Sequence, residues 1–250
     1  MIAADFSNTS LVNSHRLMKV YAYCLSDEVT PAALESVCGV QGAATRLIDY
    51  NSICAVVSPF DGERAEVTRE NAFLHDAVIR QVLNHTTPLP FRFGAVVSGA
   101  QLEAYIKKGR DELLSQLARV RGSVEMSVKI LWNAEAVSVE MRDKNSDEAM
   151  GPGAGFLMSK RREIIGDSAL KSRAEALSGW LDERLGDSVR ESVARALPSP
   201  TMAVAVSHLV ERAKLGEYNV RLANARKERG ELRFLTSGAW PPYNFCNLDS

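Results

Sequence analysis

The 250 residues are 46% hydrophobic and 24% charged, an ordinary globular composition, and the length favours two domains over one. Thirty basic side chains against 31 acidic ones leave a net charge of −1, which withholds the attraction that normally supplies non-specific nucleic-acid affinity. No apolar run reaches the roughly 18 residues a membrane helix needs. The four cysteines, Cys24, Cys38, Cys54 and Cys246, form no C-x-x-C pair, which argues against a zinc ribbon or redox motif and fits reduced thiols in a cytoplasmic protein.

Residues 1–17 lack the cationic start and apolar stretch of a signal peptide and read as a polar, disordered leader, so that either translation begins at Met18 or the leading segment is dispensable. Lys19 to Leu25 reads as a strand. Thr30-Pro31 then opens a helix that runs towards Gly39, because the hydroxyl can cap an orphan amide and proline leaves none. Ala44 to Tyr50 and Ser52 to Ser58 read as a hairpin. From Thr68 to His85 the positions Leu74, Val78, Ile79, Val82 and Leu83 recur at helical spacing. Pro88 and Pro90 end that stretch. Ser98 followed by Gln101 is a capping-box signature for a helix carrying Leu102, Ile106, Leu113 and Leu117 as far as Gly122. Val124, Met126, Val128, Ile130 and Trp132 then alternate with polar residues as a strand with one core face.

Arg142 to Gly155 is polar and ends in Gly-Pro-Gly-Ala-Gly, which reads as a linker: no strand precedes it to aim its amides at a phosphate. Beyond it come a long helix over Phe156 to Leu185, strands near Val189 to Leu197 and Thr201 to Glu211, a helix from Glu217 to Arg229 and a strand over Glu231 to Thr236. The fold class expected is α+β in two domains: an N-terminal α+β domain with a mixed or antiparallel sheet over 18–135, a linker over 136–155, and a ferredoxin-like domain with its long helix over 156–238. A tail rich in aromatic residues and proline, 239–250, completes the chain.

No nucleotide, zinc-protease, deaminase or hydrolase-elbow motif is present, so no catalytic, cofactor-binding or metal-ligating residue is expected. His75 reads as a helix-surface or core histidine, and His208, in phase with Val204 and Val206, as a satisfied buried one. Lys160 to Arg162 read as part of a solvated helix face. Two segments resist a generic reading. Pro88-Leu-Pro-Phe-Arg-Phe-Gly94 sets Arg92 beside Phe93 among apolar residues, where a buried guanidinium would need a carboxylate such as Glu125 or Glu103. Trp240-Pro241-Pro242-Tyr243-Asn244-Phe245 reads either as a partner-binding segment or as a tail folded over its own core. Arg92, Phe93, Glu125, Trp240, Pro241, Pro242, Tyr243 and Phe245 are therefore the candidate partner-binding or fold-critical residues.

Leu74-His-Asp-Ala-Val78, Pro88-Leu-Pro-Phe-Arg-Phe-Gly-Ala-Val96, Gly122-Ser-Val-Glu-Met-Ser-Val-Lys129 and Trp240-Pro-Pro-Tyr-Asn-Phe245 resemble, in order and spacing, the gas vesicle protein L/F family. Gly155-Phe-Leu-Met-Ser-Lys-Arg-Arg162 and Leu209-Val-Glu-Arg212 add to the likeness. Asp76, where members carry glutamate, and Ala239, where proline is usual, depart from it. The resemblance implies a cytoplasmic, non-enzymatic accessory protein of gas vesicle formation. It also implies two α+β domains, the second ferredoxin-like, and binding to the hydrophobic shell subunit and other accessory proteins, with no cofactor, membrane, nucleic acid or small-molecule substrate. The competing readings are a small-molecule enzyme using an interdomain cleft and a ferredoxin-like RNA-binding module carrying Phe91 to Val96.

Overall fold

A computed structural model describes residues 18–131, 171–195 and 202–248. The chain divides into two compact units, one from Met1–Val124 together with Trp240–Ser250, the other from Glu125–Ala239. Both are mixed α+β.

In the first unit β1 (Lys19–Ser26) is the strand around which the rest is arranged. It pairs antiparallel with β3 (Cys54–Pro59), and β2 (Arg46–Asp49) pairs with β3 as the expected hairpin. On its other side β1 takes two short strands in succession, β4 (Leu89–Pro90) and β5 (Val96–Ser98). Proline is tolerated in β4 because that strand lies at the sheet edge, where a missing N–H costs no ladder bond. The β1–β3 register slips between Ala22 and Cys24, so Tyr23 is an extra, unpaired residue. That bulge lets Tyr21, Tyr23 and Cys24 all enter one apolar cluster.

Helix α1 (Arg69–Leu83) starts where expected: the Thr68 hydroxyl accepts the Asn71 amide N–H at 3.1 Å. Its buried stripe is His75, Val78, Ile79 and Val82, so a histidine occupies a position at the apolar spacing. The capping box at Ser98 is formed in both directions, with Gln101. Its helix is interrupted, however. Gly109, with the backbone turned out of helical geometry, separates α2 (Gly99–Lys108) from α3 (Arg110–Val120). The helix expected after Thr30 is only a 3-10 turn over Pro31–Leu34. Beyond the turn the Tyr23 phenol takes the Val40 N–H at 2.7 Å, and a Cβ on Gly39 would lie 2.2 Å from that oxygen.

The second unit carries a four-stranded antiparallel sheet in the order β7–β8–β6–β9. Its members are β6 (Ser123–Leu131), β7 (Glu191–Arg195), β8 (Met202–Glu211) and β9 (Arg233–Trp240). A helix over 171–185, α4, and α5 (Leu215–Glu228) supply Leu177, Leu181, Tyr218 and Leu222 to a core shared with Val128, Val204, Val206 and Phe234. The strand β6, expected with the first half of the chain, thus pairs in the second sheet. Its alternation specified a strand with one buried face but not which sheet it would join. β9 also runs further than expected, to Trp240. The expected linker at 136–155, the start of the long helix and the N-terminal leader lie outside the described residues.

Candidate functional site

Three segments distant in the chain meet in the first unit: α1 at His75, the loop Phe91–Gly94 between β4 and β5, and the C-terminal segment from Trp240. The loop follows from the pairing around it. The Phe91 N–H donates to the Tyr23 carbonyl at 2.8 Å and the Ala22 N–H to the Ala95 carbonyl at 2.9 Å, so the residues between leave the edge of β1 and return to it. Gly94 makes the return with φ at +94°, a conformation costly for residues with a Cβ. Arg92 sits on this loop with its side chain exposed, while Phe93 turns inward.

His75 is buried at the centre of this meeting. Its ring lies edge-on to Tyr21 and Phe93, each 5.7 Å away between centroids, and 5.9 Å from Tyr23. The Gly94 N–H donates to Tyr21 Oη at 2.9 Å, which leaves the phenol proton to go to His75 Nδ1 at 3.0 Å. The Phe91 backbone lies beside the ring, and Tyr243 Oη stands 3.5 Å from Nε2. Burial holds the His75 pKa down at about 4, against smaller raising effects from Asp76 and the Phe91 backbone. The same burial pushes the Tyr21 phenol up to about 12 and also raises Tyr23 and Tyr243. Neutral forms are therefore strongly favoured throughout the cluster.

The C-terminal segment is tied to its own unit at several points. Asp76 holds Arg80 at 2.5 Å, and the guanidinium stacks over the Trp240 ring at 4.2 Å. Pro241 and Pro242 are buried, and Phe245 is only 2% exposed. Arg119 donates to the Phe245 carbonyl, and the Asn247 N–H donates to Gln116 Oε1 at 3.0 Å. The tail packs over the core of its own unit.

The second unit buries a different polar group. His208 Nδ1 lies 3.0 Å from Tyr218 Oη, and Nε2 faces Asp182 Oδ1 at 3.5 Å. Ser192 Oγ donates to the same carboxylate oxygen at 2.9 Å. Burial pushes the Asp182 carboxyl up, but the neighbouring His208 imidazole and the Ser192 hydrogen bond outweigh it, so the group is held below its usual range. A cavity of about 190 Å³ lies elsewhere in this unit, lined by Arg173, Leu177, Arg229 and Leu232 among others.

Phe93, Trp240, Pro241, Pro242, Tyr243 and Phe245 thus belong to one packed region of the first unit. Glu125 is buried in β6 of the second. Arg92 is exposed, so there is no buried guanidinium requiring Glu125 or Glu103 as a partner; Glu103 pairs with Lys107 at 2.6 Å. Tyr21 and Tyr23 were not singled out by sequence. The signal for His75 was its spacing, three and seven residues before Val78 and Val82. Among the described residues no group of three or more His, Cys, Asp or Glu side chains could hold a metal ion.

Residues 19–247 match the family described as "Gas vesicle synthesis protein GvpL/GvpF". The chain belongs to this family. Gas vesicle protein F1 of Halobacterium salinarum is 26% identical over 234 residues, covering 92% of this chain and 93% of the relative. Gas vesicle protein L of a Streptomyces species is 28% identical over 261 residues, covering 95% of each. The fold is shared with the crystal structure of GvpF from Anabaena, with a TM-score of 0.75 at 20% identity over 93% of this chain and 98% of that one. GvpF from Microcystis aeruginosa gives a TM-score of 0.73 at 19% identity, over 92% and 100%. Membership carries a gas vesicle accessory role. No helix among the described residues is long and apolar enough to cross a membrane.

Proposed function

We propose that this chain is a non-enzymatic assembly factor that binds the hydrophobic gas vesicle shell subunit, together with other accessory proteins, in the cytoplasm and at the growing vesicle. The observation that carries this reading is the family match across 19–247. The physical need is clear. A subunit that must present an apolar face to gas aggregates unless something holds it before assembly. Exposed apolar side chains on the first unit, Phe73 at 71% and Val67 at 89%, give that unit apolar surface near the start of α1 with which to do so.

We also infer that Glu125–Ala239 is a ferredoxin-like unit. The order strand, helix, strand, strand, helix, strand and the sheet order β7–β8–β6–β9 support it. Trp240, Pro241, Pro242, Tyr243, Phe245 and Phe93 are read as fold-critical, and exposed Arg92 as the candidate contact residue of the loop.

The test is to tag the chain in a vesicle-forming host, float the vesicles and blot floating and soluble fractions beside the shell subunit. A soluble complex with unassembled subunit supports the assembly role. Retention on floated vesicles after a urea wash makes it a shell component, and absence from both removes the support for subunit binding.

A further inference from the structure

We propose that His75 is a proton-operated latch for the C-terminal segment 241–248: neutral, it completes the hydrogen-bonded cluster on which that segment rests, and protonated, it forces the segment off the first unit. The argument begins with donor and acceptor bookkeeping. Neutral imidazole has one donor and one acceptor, and here each faces a phenol, Nδ1 the Tyr21 hydroxyl at 3.0 Å and Nε2 the Tyr243 hydroxyl at 3.5 Å. Protonation turns Nδ1 into a donor facing a hydroxyl whose oxygen already takes the Gly94 N–H at 2.9 Å. The phenol must then turn its own proton away from the imidazole, breaking the bond that joins the two rings.

The new charge finds no settled counter-ion. The groups facing His75 are Tyr21 and Tyr23 from β1, Phe93 and the Phe91 backbone from the loop, and Tyr243 from the C-terminal segment. Cys24 and Cys246 lie near Tyr243 and are free thiols. The nearest carboxylate, Asp76 on the same helix, is engaged by Arg80. A cation enclosed this way is relieved only by admitting water. Phe93 and Tyr243 are the covers, and Tyr243 belongs to a segment held at its ends by Arg80, Arg119 and Gln116 rather than by a strand ladder. It is the cover that can lift without breaking the sheet.

The experiment is hydrogen exchange of the full-length protein between pH 7.5 and 4.5, corrected for the intrinsic pH dependence of exchange. Protection of 241–248 should fall by up to tenfold per pH unit below 6.5, the slope of one linked proton, while peptides of α5 keep theirs. His75→Gln, which keeps one donor and one acceptor but cannot take up a proton here, should abolish that slope. PH-independent protection in the natural protein, or an unchanged slope in the variant, overturns the proposal. A second reading does not depend on the variant folding. The imidazole resonance of His75 should titrate together with exposure of the segment, and release while His75 remains neutral also overturns it.

Discussion

Each unit buries one histidine against one tyrosine, and the two pairs share their geometry. Ring centroids are 5.7 Å apart in both, and Nδ1 lies 3.0 Å from the phenol oxygen in both. They differ at the other nitrogen. His208 has the Asp182 carboxylate, itself braced by Ser192, whereas His75 has the Tyr243 phenol. The comparison teaches that two imidazoles alike in burial and in the first hydrogen bond are set apart by what faces the second nitrogen. Beside His208 that is a carboxylate; beside His75 it is the Tyr243 hydroxyl, while Asp76, on the same helix as His75, is held by Arg80.

The largest effect that would separate the units is removal of the Phe245 side chain. Phe245→Ala should destabilise the first unit by about 3 to 5 kcal/mol, as for a truncated aromatic core residue, with the second unit's exchange protection intact. Acid comes next. Because the folded pKa of His75 is depressed from 6.5 to about 4, the unfolded chain binds more protons between those values. The first unit's stability is then complete above pH 6.5 and falls as pH drops towards 4, by about 3 kcal/mol, measurable by urea unfolding across that range. Asp182 has the opposite sense for its own unit: a carboxyl held low contributes stability above its unfolded pKa and loses it only as pH falls through the lower folded value. Asp182→Asn removes the charge from the carboxylate that accepts Ser192 Oγ and should cost the second unit about 1 kcal/mol at neutral pH, measured by urea unfolding. Thr68→Ala removes the cap of α1 and should cost about 1 kcal/mol. At the small end, Glu228→Gln breaks the exposed Arg184–Glu228 pair and should leave the melting temperature unchanged.

Local features were legible in the sequence because their causes are local. Thr68 caps α1, Ser98 and Gln101 form their box, and period-two alternation marks β6. The order and spacing of the motifs around His75, Phe93 and Trp240 also point to the family. What sequence could not supply was pairing. That β6 joins the later strands depends on contacts made far along the chain, and the Val40 amide is taken by the Tyr23 phenol, 17 residues before it. Arg92 illustrates the same limit. Apolar neighbours in sequence suggested burial, but the loop's return through Gly94 sends Phe93 in and leaves Arg92 outside. His75 was visible as a histidine at core spacing, yet its partners come from β1 and from the chain's far end.

Phe245 and Tyr243 pack into a unit whose strands are otherwise complete by Ser98. On the ribosome, where chains emerge at about 5 to 20 residues per second, the earlier-made unit must wait for residues made after the second unit, while that intervening unit has all of its own strands first. A nascent chain of this protein therefore finishes its middle before its beginning. A stop codon or a rigid fusion placed just after Trp240 would do its damage not at the site of the change but in the fold that was translated first.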